Sequence, residues 1–146
     1  MRTSDCFKKR LLRKTKPDKL KMKKALEMAE LKRERAEDLF NNEFYEESIV
    51  SSYTCMFQAA RALLFLDGII EKSHACVVSY LGENYATTLG HDKISWLDTY
   101  RLERHESFYG LEKSTIDKQE AEDALNKSVK FLYSVNKVIR NINQKE

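Results

Sequence analysis

SYTCMFQAARALL, residues 52–64, is the stretch that decides the fold. Its apolar residues continue a pattern over residues 45–67 with the three- and four-residue spacing of one helix face. Gly68 follows at the place where a helix commonly ends with a glycine. The sequence therefore predicts a long core helix with the following apolar stripe: Ile49, Tyr53, Met56, Phe57, Ala60, Leu63 and Leu64.

Four further helical segments flank this one. The first is predicted from Pro17 to Asn42, because proline is favoured in a first helical turn. The others cover residues 73–85, residues 92–109 before Gly110, and the chain from Asp117 onward, where the aspartate side chain can cap the helix. Long helices with short joints favour an all-α, up-and-down bundle of four to five helices. We expect one domain over residues 17–146.

The composition agrees with helices. The chain has 146 residues, is 42% hydrophobic and 34% charged, and contains only 4 glycines and 1 proline. No apolar run approaches the length of a transmembrane helix, and the charged N-terminus is unlike a secretory signal. The three cysteines form no C-x-x-C pair, so reduced thiols and a cytoplasmic location without membrane contact are expected.

The positive charge is concentrated at the N-terminus. Residues 1–24 contain eleven lysines and arginines against two aspartates, whereas the rest of the chain is net acidic. Residues 1–16 are therefore predicted to form a basic, flexible arm. Such an arm can neutralise nucleic-acid phosphates. It can equally be a solvated tail, because Phe7 is its single aromatic residue and no series of aromatic side chains interleaves to stack on bases.

The helix over residues 92–109 carries charge on its apolar face. If Ile94 is the origin, then Arg101, Arg104 and His105 lie within about 80° of it around the helix. Trp96 and Tyr100 point elsewhere. Burial of unpaired like charges is costly, so this face is predicted to open onto a cleft or an interface. The alternative is a structural ion network in which a carboxylate such as Glu46 or Glu47 neutralises the arginines.

Two motifs then resemble a known family. The helix of residues 52–64 and the Lys72-Ser73-His74 segment after it are similar to those of small prokaryotic HEPN proteins, over about residues 20–140. The resemblance implies a helical bundle that dimerises through its middle helices. It also implies a role beside a minimal nucleotidyltransferase, often as a toxin–antitoxin pair, or metal-independent cleavage of RNA.

The resemblance extends to a catalytic motif, with one departure. Arg104 matches the family's arginine and His105 the polar position, but Tyr109 stands where a histidine closes the motif. Histidine exchanges protons near neutral pH, whereas tyrosine titrates near pH 10. Ribonuclease activity therefore does not follow from membership, although His105 is an alternative group for proton transfer.

The function expected from the sequence is that of the helical, toxin-like half of a nucleotidyltransferase-type pair. It would bind RNA or nucleotide phosphates through Arg101 and Arg104, with Arg61 nearby, and would form a homodimer. The alternatives are a metal-independent endoribonuclease that uses Arg104, His105 and Tyr109, and a purely structural interaction bundle. No cofactor and no metal site are expected, because the histidines and cysteines lack ligand spacing. His74 is expected to be a helix cap or a satisfied core residue.

Overall fold

The computed structural model describes residues 2–109 and 116–145, except for the side chains of residues 104–109 and 145. In chain order the elements are α1 (Thr3–Lys8), β1 (Leu12–Lys14), α2 (Lys19–Asn41), α3 (Tyr45–Leu66), β2 (Ile69–Glu71), α4 (His74–Asn84), α5 (Ala86–Leu89), α6 (His91–Tyr109) and α7 (Lys118–Lys145).

The helical bundle predicted from the sequence is confirmed, and the helix caps explain the small shifts at its boundaries. Helix α2 begins after Asp18, whose side chain accepts a hydrogen bond from the Lys21 amide at 2.9 Å, so Pro17 precedes the cap. Asp117 caps α7 as predicted, by accepting from the Glu120 amide at 2.9 Å. The predicted third helix, residues 73–85, is present as α4, and a short helix that was not predicted, α5, follows it.

Helix α3 lies at the centre of the core and packs along both α2 and α7. Small residues allow its close approach to α2: the hydroxyls of Ser48 and Ser51 donate to the Ala36 and Lys32 carbonyls of α2, each at 2.8 Å. These bonds satisfy the serines of an otherwise apolar interface. The largest fully buried side chains of the core come from α3 and from the helices around it: Tyr53, Met56, Leu63, Leu64, Val77, Leu81, Leu97, Phe131 and Val135.

The prediction that no apolar run approaches the length of a transmembrane helix is wrong for α3. Residues Tyr45–Leu66 are long enough and apolar enough, by length and composition, to cross a membrane. Two thirds of the relevant window (67%) is buried inside the bundle, as in the core helix of a soluble protein. Its position between α2 and α7 therefore accounts for its apolar composition without a bilayer.

The N-terminal segment forms α1 and β1. Strand β1 pairs antiparallel with β2, with Arg13 opposite Ile70, and Leu12 is almost fully buried. Cys6 of α1 and Cys76 of α4 form a disulfide between Cα atoms 5.9 Å apart. The prediction of reduced thiols is therefore wrong for these two cysteines. Their separation of 70 residues hid the pair from sequence patterns, and the β1–β2 pairing brings them together.

The turn at Gly68 attaches β1 to the end of α3. Gly68 has φ +74°, and a Cβ atom there would lie 2.4 Å from the Thr15 carbonyl oxygen. The Thr15 amide in turn donates to the Gly68 carbonyl at 2.6 Å. Only glycine combines this left-handed backbone with such close contact. The turn thus fixes where the basic segment lies against α3.

Candidate functional site

Helix α6 presents a mixed face to the bundle. Ile94 and Leu97 are buried as predicted, with 7% and 1% of their surface exposed. Tyr100 is also buried, at 8%, so the prediction that it points elsewhere is wrong. Burial raises the pKa of the Tyr100 hydroxyl to about 12, and nearby carboxylates, first Glu103, add to the effect. The apolar face of α6 therefore ends in a phenol that stays protonated at neutral pH.

Arg101 continues this face and is half-buried beside a carboxylate of its own helix. Its Nε and Nη2 atoms lie 3.0 Å and 2.8 Å from Oδ1 of Asp98. The carboxylate that neutralises it is thus Asp98, one turn earlier, rather than Glu46 or Glu47. Because the side chains are 27% and 44% exposed, water screens the pair and its stabilisation is at most about 1 kcal/mol. An anionic ligand could exchange with Asp98 at small cost.

The other predicted residues of this cluster lie further along α6. The helix backbone continues to Tyr109, so Arg104, His105, Phe108 and Tyr109 belong to the same helix as Arg101. The side chains of these four residues lie outside the described part of the molecule, as does Gly110. Their assignment as catalytic or phosphate-binding residues stays a prediction.

Arg61 has a different setting on α3. Its Nε lies 2.7 Å from Oε1 of Glu71 on β2, and its Nη1 lies 3.3 Å from Oε1 of Gln58. Burial raises the pKa of Glu71, and Arg61 partly opposes that rise. Arg61 also lines a cleft between α2 and α3 rather than one at α6. The structure therefore pairs Arg61 with a carboxylate of β2 and Arg101 with a carboxylate of α6.

The Lys72-Ser73-His74 segment contacts the α3 motif directly. Ser73 is the cap of α4, because its hydroxyl accepts from the Cys76 amide at 3.2 Å. The ring of His74 stacks on Phe57, with centroids 3.8 Å apart, and its Nδ1 lies 2.7 Å from the Tyr53 hydroxyl. The phenol donates to Nδ1 when the ring proton is on Nε2. This arrangement fixes the imidazole against the core and agrees with the satisfied core residue expected from the sequence.

A carboxylate at the end of α3 joins the bundle to α4 and α5. The hydroxyls of Tyr80 and Tyr85 both donate to Oδ2 of Asp67, at 2.8 Å and 2.7 Å. Burial, followed by these bonds to a negative acceptor, raises the pKa of both phenols far above the ordinary value. The group is a positioning element, because it holds the turn before β2 and the start of α5 together.

Lysines surround the aromatic side chains of α6. The Nζ atom of Lys127 on α7 lies 5.7 Å from the ring centres of both Trp96 and Tyr100, and that of Lys93 lies 5.7 Å from Trp96. Such cation–π contacts attach α7 to α6. Among the side chains of residues 2–103 and 116–144, no group of three or more histidine, cysteine or acidic residues is placed to hold a metal ion.

Comparison with known proteins gives two results. The model of the HEPN domain family matches residues 22–138. The chain is also similar to two proteins of Methanocaldococcus jannaschii that carry the names "Putative toxin MJ0142" and "Putative toxin MJ0605". The first is 29% identical over 128 residues, which cover 83% of each chain. The second is 28% identical over 122 residues, which cover 80% of this chain and 87% of the relative.

Proposed function

Because the chain belongs to the HEPN domain family, we propose that it is the toxin-like half of a two-protein system whose other half is a small nucleotidyltransferase. The observation that carries this proposal is the family match over residues 22–138, together with near full-length similarity to two proteins named as toxins. In this proposal the ligand of the chain is RNA or a nucleotide, so its site binds phosphate.

The proposed phosphate site is on α6. Helical spacing predicts that Arg101, Arg104 and His105 lie on one face of this helix, and Tyr109 is the last residue of the helix. A guanidinium suits this role because its planar fork holds two phosphate oxygens and keeps its charge at every relevant pH. The exposed Asp98 partner of Arg101 is weakly held, so it can give way to a phosphate.

The alternative is a metal-independent endoribonuclease in which His105 transfers the proton. Its support is the position of His105 beside Arg104 on the same helix. Against it stands Tyr109, because a phenol exchanges protons poorly at neutral pH. The partner reading of the site therefore ranks first, and the enzyme second. In both proposals, protonation of His105 should strengthen anion binding on mild acidification.

The proposal also includes a homodimer and a cytoplasmic location. A homodimer is expected from the family, but Ile94 and Leu97 do not argue for it, because both are covered within one chain. A cytoplasmic location suits an RNA or nucleotide ligand. The Cys6–Cys76 disulfide is compatible with it, since both sulfur-bearing residues have no exposed surface and a reductant reaches them only after local opening.

Two experiments decide the proposal. Affinity-tagged chain is co-expressed with a small nucleotidyltransferase, taken from an adjacent gene where the genome has one, and co-purification of the pair with loss of toxicity supports the two-protein system. No complex, together with cutting of RNA by the purified chain in the presence of a chelator, would reverse the order of the two functions. Light scattering on the purified chain tests the dimer.

The α6 site has its own variant. Arg104→Ala should leave the melting temperature within a few degrees of wild type and weaken binding of RNA, nucleotide or partner about tenfold or more, if the arginine holds phosphate. Unchanged binding with a large loss of stability, roughly 3–5 kcal/mol, would instead identify a structural ion pair and end the functional assignment.

A further inference from the structure

A cleft of about 260 Å³ lies between α2 and α3, away from α6. Its described lining residues include three cations and no carboxylate: Lys21, Lys24, Ala25, Met28, Gln58, Arg61 and Phe65. Lys21 and Lys24 are exposed, and neither forms an ion pair in the described part of the chain. Their positive charge is therefore available to a ligand, whereas that of Arg61 is shared with Glu71.

An aromatic ring stands among these cations. The guanidinium of Arg61 lies 5.1 Å from the centre of the Phe65 ring, and the Nζ of Lys21 lies 5.9 Å from it. Phe65 is only partly buried. Lysines that neutralise phosphates around a ring that accepts a base are the usual components of a surface for single-stranded nucleic acid. Phe7 is the single aromatic residue of the basic segment, residues 1–24, and Phe65 of α3 adds a second ring beside Lys21 in the fold.

We propose that the α2–α3 cleft is a docking surface for single-stranded RNA, with phosphates on Lys21 and Lys24 and a base against Phe65. A duplex fits this surface poorly, because its bases are stacked inside and offer no face to the phenylalanine. The cleft continues the basic N-terminal segment, which β1 and the Gly68 turn hold against the end of α3. RNA bound at α6 would thus have a second contact that sets its direction. This inference rests on RNA being a ligand, as proposed above.

The test measures anisotropy of a fluorescent oligouridylate bound to the full chain over a range of salt concentrations. Lys21→Ala with Lys24→Ala should weaken binding about tenfold and flatten the slope of log affinity against log salt by about 1.4, since two phosphate contacts on a single strand are lost. The fold should be little affected, because the Asp18 cap uses the Lys21 amide, and the side-chain contact of Lys21 with Phe65 is exposed to solvent and weak. The matched control is Lys130→Ala with Lys137→Ala, two exposed lysines of α7 with the same charge change.

A second variant isolates the stacking contact. Phe65→Leu should weaken binding about tenfold while leaving the salt slope unchanged, because no charge is removed. An unlabelled duplex of equal length should compete less well than the single strand. Equal weakening by the α7 control, a duplex that competes better, or wild-type affinity in both cleft variants would overturn the inference.

The outcomes also separate this surface from the α6 site. If Arg104→Ala loses affinity while both cleft variants keep it, the cleft is excluded and the α6 site stands. If only the cleft variants lose affinity, the cleft stands and the α6 site fails. If the wild-type chain binds no RNA at all, the cleft is excluded, and the two-protein system is still decided by co-purification with the nucleotidyltransferase.

Discussion

Removal of the Cys6–Cys76 disulfide should destabilise the chain by a predictable amount. The bond closes a loop with a sequence separation of 70 residues. In the chain-entropy treatment, a loop of that length restricts the unfolded state by about 4 kcal/mol. For a domain of this size that corresponds to a fall in melting temperature of roughly 10 °C.

The assay compares thermal unfolding of the wild-type chain with and without a phosphine reductant. Cys6→Ala with Cys76→Ala should reproduce the reduced curve and should not respond to reductant, since alanine adds no buried polar group. Cys55→Ala is the matched control: Cys55 is a buried free thiol whose Sγ lies 4.0 Å from the Ser128 carbonyl, and its loss should leave the reductant effect intact.

A count of thiols in the unfolded, unreduced chain checks the premise. One free thiol is expected, because only Cys55 is unpaired. Three free thiols together with melting curves that reductant does not change would refute the reasoning. A single thiol with no loss of stability on reduction would instead show that β1–β2 pairing and the burial of Leu12 hold the N-terminal segment without the covalent link.

Three other predictions follow from local geometry. Gly68→Ala should cost more than about 2 kcal/mol, because a side chain there meets the Thr15 carbonyl at positive φ, whereas Gly82→Ala in α4, with nothing within 4 Å, should stabilise by about 0.5–1 kcal/mol; urea unfolding of both tests this. Burial and the bonds to Asp67 raise the pKa values of Tyr80 and Tyr85 in the folded chain. Their contribution to the free energy of unfolding is therefore complete below the pKa of an unfolded tyrosine, near 10, and is lost as the pH rises above it. Stability measured from pH 8 to 11 should therefore fall, and Tyr80→Phe with Tyr85→Phe should reduce that dependence. Arg101→Ala should cost less than about 1 kcal/mol in the same urea assay, because its pair with Asp98 is exposed; a larger loss would make it a structural residue.

The core helices could be predicted from the sequence because each carries its own period and its own end signals. The stripe of α3 and the Asp117 cap of α7 are local patterns, and both are present in the structure. The N-terminal elements could not be predicted in this way. Strand β1 has only three residues, and it forms because Leu12 finds β2 and Cys6 finds Cys76 far along the chain. The high positive charge of residues 1–16 predicted a flexible arm, because the residues that pair with this segment lie far along the chain and cannot be identified from the segment itself.

The candidate site, too, could be predicted only as far as local sequence patterns reach. Helical spacing alone predicts Arg101 and Arg104 on one face of α6, and the structure describes the side chain of Arg101 but not that of Arg104. The spacing could not show that Asp98 lies beside Arg101, or that Arg61 faces α2 and pairs with Glu71. Tyr100 was misplaced because the face of α6 that is covered depends on the position of α7, which brings Lys127 over the ring. Such contacts are set by packing between helices rather than by the period of one helix.

The motif of residues 52–64 therefore indicates the fold of the chain rather than its catalytic activity. Its tyrosine and phenylalanine hold His74 of the Lys72-Ser73-His74 segment, and its arginine holds Glu71 one residue before that segment. The motif and the segment are thus two sides of one packed junction. A junction of this kind fixes the α3–α4 corner and is needed whether or not the bundle cuts RNA. If α6 holds the proposed site, a difference in activity between such chains is expected there, because a tyrosine at position 109 in place of a histidine changes the available proton chemistry.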